Sequence, residues 1–142
     1  MTSIKNATVI TVETTVNVPI EKAWKYWAEP KHIMNWSFAS PDWHTPKAEN
    51  DLRTGGKFSS TMAAKDGSMS FEFGGEYTLV KNHEKIEYTM GDGRQVKITF
   101  TKTPEGVKIA ESFEAESQNP IEMQQDGWQA ILGNYKTYTE NN

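Results

Sequence analysis

Four short turn segments in the middle of the chain constrain its fold more than any other feature. They are KDGS, VKNH, GDG and TPEG, and each lies between runs in which apolar and polar residues alternate. Asp-Gly and Pro-x-Gly sequences between such runs are strong β-hairpin signals. The sequence therefore predicts an antiparallel meander of five strands, at residues 56–64, 69–80, 84–90, 94–103 and 106–117.

The N-terminal part adds one strand and two short helices. Residues 7–17 alternate β-branched and polar side chains, which predicts a strand that completes the sheet. Pro19 opens a helix that Pro30 ends, and a second short helix is predicted over residues 31–36. The next segment, WSFASPDWHTP, has two prolines and three aromatic residues, and we expect an irregular loop there.

The last segment predicts the only long amphipathic helix. Asn119 is its expected N-cap, Pro120 its first residue and Glu122 the capping-box partner, and the helix extends to about Thr139. One face carries a stripe at helical spacing, made of Ile121, Gln124, Trp128, Ile131, Leu132 and Tyr135. This helix is the natural cover for the apolar face of the sheet.

Alternation assigns the two faces of the sheet. The apolar face is predicted to carry Phe58, Ser60, Met62, Phe71, Phe73, Gly75, Tyr77, Leu79, Ile86, Tyr88, Met90, Val96, Ile98, Phe100, Val107, Ile109, Glu111, Phe113 and Ala115. The hairpin turns pair Met62 with Phe71, which places Phe58 beside Gly75. They also pair Leu79 with Glu84, which places Gly75 beside Tyr88.

Glu111 is the unusual residue on the apolar face. The hairpin register places it opposite Ile98, and a buried carboxyl group must be paired, hydrogen-bonded or protonated. It is therefore either a polar anchor or general acid in a cavity, or a residue that a rim position or a bulge turns outward. Arg94, near the rim of the same face, is a candidate partner or ligand contact.

Two glycines occupy positions where a side chain would be expected. Gly75 marks a bend of the sheet or leaves a gap between aromatic rings. Gly127 lies inside the last helix beside Trp128, where glycine costs roughly 1 kcal/mol relative to alanine. It either lets another backbone approach closely or leaves space for a ligand.

Composition limits the class of protein. The 142 residues predict a single domain over 1–142, with 36% hydrophobic residues, five Trp, five Tyr and six Phe. The net charge is −4 without a basic stripe, so no nucleic-acid partner is expected. No apolar run is long enough for membrane insertion, the N-terminus lacks a signal peptide, and cysteine is absent. We therefore expect a cytoplasmic protein.

The sequence lacks the motifs of standard catalytic classes. His32, His44 and His83 have no metal-ligand spacing, so no metal is expected, and no GxSxG, P-loop or GxGxxG predicts a cofactor. His44, beside Trp43, is the histidine best placed for a role in a site. No catalytic residue can be assigned.

The order of elements and several motifs resemble a known superfamily. The stretches VNVPIEKAWKYWAEPKHIMNW, ENDLRTGGKF, KDGSMSFEFGGEYTLV, EKIEYT and DGWQAILGNYKTYTE are similar to those of START-like (SRPBCC, Bet v 1-like) proteins, over roughly residues 8–140. Within that superfamily, the chain resembles the family of the C-terminal domain of the heat-shock protein 90 ATPase activator.

This resemblance implies an α+β helix-grip fold, in which a curved antiparallel sheet wraps around a long C-terminal helix and two short helices follow the first strand. Relatives use the cavity between sheet and helix for lipids, hormones, polyketides or other apolar small molecules. Relatives that act as cyclases orient a reactive chain without a fixed triad, so no catalytic residue carries over. The chaperone role does not transfer with the family name.

The leading hypothesis is therefore a non-enzymatic binder of a small hydrophobic or amphipathic ligand. The candidate site residues are Trp27, Trp36, Phe38, Trp43, His44, Met62, Phe71, Phe73, Tyr77, Tyr88, Arg94, Phe100, Glu111, Phe113, Trp128 and Leu132. Two alternatives stay open, a cyclase or hydrolase acting on a bound aromatic molecule or polyketide, and a module that stimulates a chaperone ATPase. The sequence does not decide between a monomer and a homodimer.

Overall fold

The structure, a computed structural model, describes residues 8–142, which form seven strands and three helices. The strands are β1 (Val9–Val16), β2 (Trp43–Asn50), β3 (Lys57–Ala64), β4 (Ser70–Lys81), β5 (Lys85–Met90), β6 (Gln95–Thr103) and β7 (Gly106–Glu114). The helices are α1 (Ile20–Ala28), α2 (Pro30–Ile33) and α3 (Ile121–Asn141). Residue 7, the predicted start of the first strand, lies outside the described residues.

The strands form one antiparallel sheet in the order β1-β7-β6-β5-β4-β3-β2. The N-terminal strand β1 pairs with β7, so β1 lies at one edge and β2 at the other. The sheet is curled, and α3 covers its concave apolar face. This arrangement confirms the predicted helix-grip fold.

The two short helices follow the prolines. Ile20, Ala23 and Trp24 are buried at helical spacing on α1, and the Trp24 ring meets Phe100 edge-on with centroids 5.0 Å apart. Pro19 is the N-cap of α1 and not a residue of its first turn. The second helix is shorter than predicted and ends at Ile33.

The start of α3 also differs by one residue from the prediction, because Asn119 is held outside the helix. The Asn119 backbone N–H and side-chain amide both donate to the Glu116 carboxylate, at 2.6 and 2.9 Å. Pro120 is therefore the N-cap, and no side chain caps the helix. The Gln124 amide joins the helix to the preceding segment instead, by donating to the Glu116 and Asn119 carbonyls.

The segment predicted as an irregular loop contains a strand, β2. Its register with β3 shifts between His44 and Lys47, on either side of Pro46. A proline lacks the N–H that a central strand needs, but an edge strand with an irregularity tolerates it. The predicted loop covered residues 36–46 and was wrong for residues 43–46, because its prolines were interpreted without regard to edge position.

The predicted registers are correct for the strand pairs β3–β4 and β6–β7 and wrong for the pair β4–β5. Met62 pairs with Phe71, Phe58 with Gly75 and Ile98 with Glu111, as predicted. Tyr88 pairs with Tyr77, however, and not with Gly75.

Two features explain the failed register. The turn pairs Lys81 with Lys85, so Leu79 does not pair with Glu84 as predicted, and a β-bulge shifts the pairing by one more residue between Tyr77 and Leu79. The extra residue reverses the alternation. Leu79 therefore lies opposite Glu87 on the outer face, and Val80, opposite Ile86, packs against the core. The assignment of Leu79 to the apolar face was wrong.

Side chains of α3 also bond to the free edge of β1. The Gln129 amide donates to the Glu13 carbonyl at 3.1 Å, and the Lys136 ammonium donates to the Thr15 carbonyl at 2.7 Å. These bonds fix the helix along that edge, at the opposite side of the sheet from β2.

Candidate ligand-binding cavity

A cavity of about 490 Å³ lies between the concave face of the sheet and the first half of α3. The sheet, α3 and the segment of residues 36–40 all contribute to its lining. Aromatic rings make up most of the apolar lining, so the dominant chemistry of the wall is that of an apolar site.

The sheet side of the cavity is a connected set of rings. Phe58 meets Tyr88 edge-on at 4.7 Å between centroids and lies 5.7 Å from Phe73. Phe58 also leans over Gly75, where an added Cβ would approach its ring to 3.1 Å and the Thr89 carbonyl to 2.5 Å. Gly75 therefore leaves no gap, because the Phe58 ring and the β5 backbone already occupy the space beside it.

A second group of rings separates the cavity from the packed core. Trp27, Trp36 and Tyr135 are mutual neighbours, with centroids 4.9 to 5.1 Å apart. The Trp36 indole N–H donates to the Tyr26 carbonyl at 3.0 Å, which fixes the orientation of the ring. This group closes the inner end of the cavity.

Trp128 anchors the first half of α3 on the sheet. Its ring stacks on Phe113 with centroids 3.8 Å apart and planes 9° apart, and it meets Phe73 edge-on at 6.2 Å. Gly127, the preceding residue, lines the cavity, and a Cβ built there would find nothing within 4 Å. Of the two predicted roles of Gly127, close backbone approach is therefore wrong, and open space is what the structure shows.

The buried polar side chains of Glu111, Tyr88 and Ser60 reach the cavity from the sheet without a hydrogen bond to any of residues 8–142. Each of these residues is only 6% exposed. Burial raises the pKa of Glu111 to about 8, and burial is the main cause that raises the pKa of the Tyr88 hydroxyl, to which the nearby Glu111 adds. The prediction that a rim or bulge turns Glu111 outward is wrong, since its register with Ile98 and Val12 is regular.

Arg94 lines the cavity, but its guanidinium group is already engaged. Its Nε donates to Asp92 at 2.7 Å and its Nη1 to the Glu114 carbonyl at 3.2 Å. Despite some burial, the hydrogen bonds and charge of Arg94 lower the pKa of Asp92. Arg94 therefore lines the cavity with its charge already paired to Asp92.

The structure gathers most of the predicted site residues around this one cavity. Those that line it are Trp27, Trp36, Phe38, Trp43, Met62, Phe71, Phe73, Tyr77, Tyr88, Arg94, Glu111 and Trp128. The lining shows where these side chains lie, and their part in binding stays a prediction.

Four predicted residues lie outside this lining, for different reasons. Phe100 packs against Trp24 and Leu132 is fully buried, so both belong to the core. Phe113 is covered by the Trp128 ring. His44 follows Trp43 on β2, where strand alternation directs it to the other face.

Sequence reasoning missed several lining residues that the structure adds. Phe58 was on the predicted apolar face, so alternation alone could have identified it. Glu49 and Asn50 lie on β2, the strand that was not predicted. The Asn50 amide oxygen accepts a hydrogen bond from the Tyr77 hydroxyl, and its Nδ2 donates to the Ala28 carbonyl, so that Asn50 joins β2 to β4 and α1.

A curled antiparallel sheet that holds a long C-terminal helix over an internal cavity defines a helix-grip protein of the START-like class. The family model described as "Activator of Hsp90 ATPase homolog 1-like protein" matches residues 17–140. The chain belongs to that family.

Solved structures agree with this assignment. The AHSA1-like protein from Aeromonas hydrophila is 41% identical, with a TM-score of 0.89, over 94% of this chain and 93% of that one. A protein from Cytophaga hutchinsonii is 59% identical, with a TM-score of 0.79, over 96% of this chain and 94% of that one.

A Nitrosomonas europaea protein shares only the fold, at 19% identity and a TM-score of 0.83, over 99% of each chain. No curated protein matches the chain. Among residues 8–142, no helix has both the length and the apolarity needed to cross a membrane.

Proposed function

We propose that the chain binds a small hydrophobic or amphipathic molecule in the cavity beneath α3, without transforming it chemically. The observation that carries this proposal is an apolar cavity of about 490 Å³ that stays open beside Gly127. Ligand pockets in proteins measure roughly 300–1,000 Å³ and combine apolar walls with a few polar groups. A cavity of this size and lining fits a molecule of one to a few rings.

The exposure of two lining residues supports the same proposal. Phe71 is 50% exposed and Met123 is 59% exposed, although both belong to the cavity wall. Leaving such side chains in water forfeits roughly 25 cal/mol per Å² of apolar surface. An apolar ligand that enters between them would recover part of this free energy.

The first experiment is native mass spectrometry of protein purified from its own host. A retained small molecule would identify the ligand class directly. For a defined probe, calorimetric titration with naphthylethanol measures whether the cavity accepts a neutral two-ring molecule. We expect measurable binding to the wild-type protein.

A matched pair of glycine variants locates the binding. Gly127 and Gly133 both lie within α3 and both have open space around an added Cβ, but only Gly127 lines the cavity. Gly127→Leu should weaken naphthylethanol binding at least about ten-fold, because the new side chain occupies ligand space. Gly133→Leu should leave binding unchanged. Equal affinities of the two variants would contradict binding in this cavity.

An enzyme acting on the bound molecule is the second candidate, and the position of Glu111 favours it. A carboxyl group whose burial raises its pKa to about 8 is protonated at neutral pH, as a general acid must be. Turnover of a retained ligand that disappears in Glu111→Gln would establish this function. An unaltered ligand recovered after long incubation would exclude it.

The family description supports a third candidate, a module that stimulates a chaperone ATPase. This candidate predicts faster ATP hydrolysis by the chaperone when the chain is added. An unchanged rate in a direct ATPase assay would exclude it.

A further inference from the structure

Glu111 differs from every other charged residue on the cavity wall. Among the described residues, Glu49 forms an ion pair with Lys47 at 3.5 Å. The Glu116 carboxylate accepts three hydrogen bonds from Gln118 and Asn119, and Arg94 is paired with Asp92. Of these four charged residues of the wall, only Glu111 has neither a side-chain hydrogen bond nor an ion pair within residues 8–142.

The residues directly opposite Glu111 on the two neighbouring strands are apolar. Its neighbours across the strands are Val12, only 1% exposed, and Ile98, fully buried. A carboxyl group placed among apolar side chains is unfavourable unless a partner satisfies it. The open side of Glu111 is the cavity, so the partner must come from there.

The rest of the lining favours a positive partner. Its charged side chains are three carboxyl groups and one guanidinium, and that guanidinium is already neutralised by Asp92. Trp128, Phe73 and Tyr88 present aromatic rings around the same space, and a cation over such a ring gains roughly 0.5–2 kcal/mol. The charge balance of the lining and its aromatic rings therefore both favour a cationic group as the partner of Glu111.

We propose that Glu111 binds the ammonium end of the ligand, so that the cavity selects an apolar amine, a ring system or chain that ends in one cationic group. This inference rests on the proposed ligand-binding function and names the ligand class. In the complex, the carboxylate and the ammonium form a buried pair of zero net charge, and the rings cover the apolar remainder.

Binding of an ammonium group then requires Glu111 to lose its proton. Since burial raises the pKa of Glu111 to about 8, the empty cavity holds the neutral acid at lower pH, and amine binding releases a proton. The other titratable or charged groups on the cavity wall come from β4, β5, β2, the turn before β6 and the segment after β7, and they are Tyr77, Tyr88, Glu49, Arg94 and Glu116. Helix α3 contributes Met123, Gln124, Gly127, Trp128 and Ile131, all uncharged.

The test compares two probes of the same shape, naphthylethylamine and naphthylethanol, by calorimetric titration. An alkylamine with a pKa of about 10 stays charged between about pH 6 and about pH 8. The ionised fraction of Glu111 rises from about one in a hundred to about one half over this interval, so amine affinity should increase roughly 10- to 50-fold. Alcohol affinity should not increase.

Glu111→Gln removes the charge and keeps the shape of the side chain. The variant should bind the amine no better than naphthylethanol, and the ratio of the two affinities should not depend on pH. Glu105→Gln is the matched control, because it removes the same charge from an exposed turn residue outside the cavity lining, and it should behave like the wild type. Circular dichroism of both variants checks that the fold is retained.

Each result decides between the two proposals. If naphthylethanol binds and the amine binds no better at about pH 8, Glu111 instead serves a neutral ligand, and the amine proposal fails while ligand binding survives. If amine affinity is the same at both pH values or in Glu111→Gln, the amine proposal also fails. If neither probe binds, both proposals are overturned.

Discussion

The two halves of α3 face the same sheet but differ in what lies beneath them. In the C-terminal half, Leu132, Tyr135 and Thr139 are fully buried, and the Tyr135 hydroxyl donates to the Ala23 carbonyl. In the N-terminal half, Met123 is 59% exposed and Gly127 faces open space. The C-terminal half of α3 is therefore closely packed on the core, and the N-terminal half forms the roof of the cavity.

This difference separates stability from binding along a single helix. Close packing concentrates the free energy of folding at residues such as Leu132 and Tyr135. Trp128 marks the boundary, since it holds the helix on Phe113 while it lines the cavity.

The adjacent residues Ile131 and Leu132 give the sharpest test of this separation. Leu132→Ala should lower the free energy of unfolding by about 2–5 kcal/mol, because it creates a cavity in a fully buried site. Ile131 is partly buried and lines the cavity, so Ile131→Ala should cost only about 1 kcal/mol but alter naphthylethanol affinity. Urea denaturation measures the change in the free energy of unfolding for each variant. Equal changes for Leu132→Ala and Ile131→Ala would contradict the distinction between the two halves of the helix.

Glu111→Gln tests how much the buried carboxyl group beside the cavity lowers the free energy of unfolding. The folded protein keeps the Glu111 proton up to about pH 8, whereas the unfolded chain loses it near the ordinary value of 4.5. The folded state therefore binds one more proton in this window, and wild-type stability should fall as pH rises through it.

Glu111→Gln has no carboxyl group to titrate at this position, so its stability should not show this fall with rising pH. The stability difference in favour of the variant should grow between about pH 4.5 and about pH 8, by an amount on the order of a few kcal/mol, and remain constant above. Urea titrations at several pH values measure it. A difference that does not vary with pH would contradict the burial of an unpaired carboxyl group.

Gly75→Ala contrasts a crowded glycine with an open one. A Cβ at Gly75 would lie 2.5 Å from the Thr89 carbonyl oxygen, so the backbone of β4 or β5 must shift. Such overpacking costs typically about 1–3 kcal/mol, and we expect a loss of stability in that range. A neutral or stabilising effect in thermal denaturation would show that the sheet yields at this point.

Gly127→Ala and Gly133→Ala should have the smallest effects, and both should stabilise the protein, in contrast to Gly75→Ala. Neither Cβ meets a neighbour within 4 Å, and alanine favours the helix over glycine by about 0.5–1 kcal/mol. Both variants should therefore raise the midpoint of thermal unfolding slightly. A destabilised Gly127→Ala, beside a stabilised Gly133→Ala, would mean that the roof of the cavity is tighter than its open space indicates.

The fold was predictable because its strongest signals are local. Turns such as KDGS fix the β3–β4 register, and the stripe that includes Trp128 and Leu132 identifies the covering helix. The inward position of Glu111 followed from alternation along an uninterrupted strand.

The failures occur where geometry depends on distant parts of the chain. No local signal shows that Pro46 lies on an edge strand, where its missing N–H is harmless. The bulge after Tyr77 and the positive φ of 65° at His83 changed the β4–β5 register, and neither involves glycine. Whether aromatic rings fill a cavity or surround it depends on packing in three dimensions. The sequence therefore could not decide whether Gly127 allows close backbone approach or leaves open space.

The bonds from Gln129 and Lys136 to β1 have a consequence for how copies of this chain could assemble. They occupy carbonyls at Glu13 and Thr15, which a strand from another molecule would need in order to extend the sheet. At the other edge, β2 presents Pro46 and the charged pair Lys47 and Glu49, features that discourage strand addition. Growth of the sheet from one molecule into the next is thus obstructed at both edges, at one by the covering helix and at the other by proline and charge.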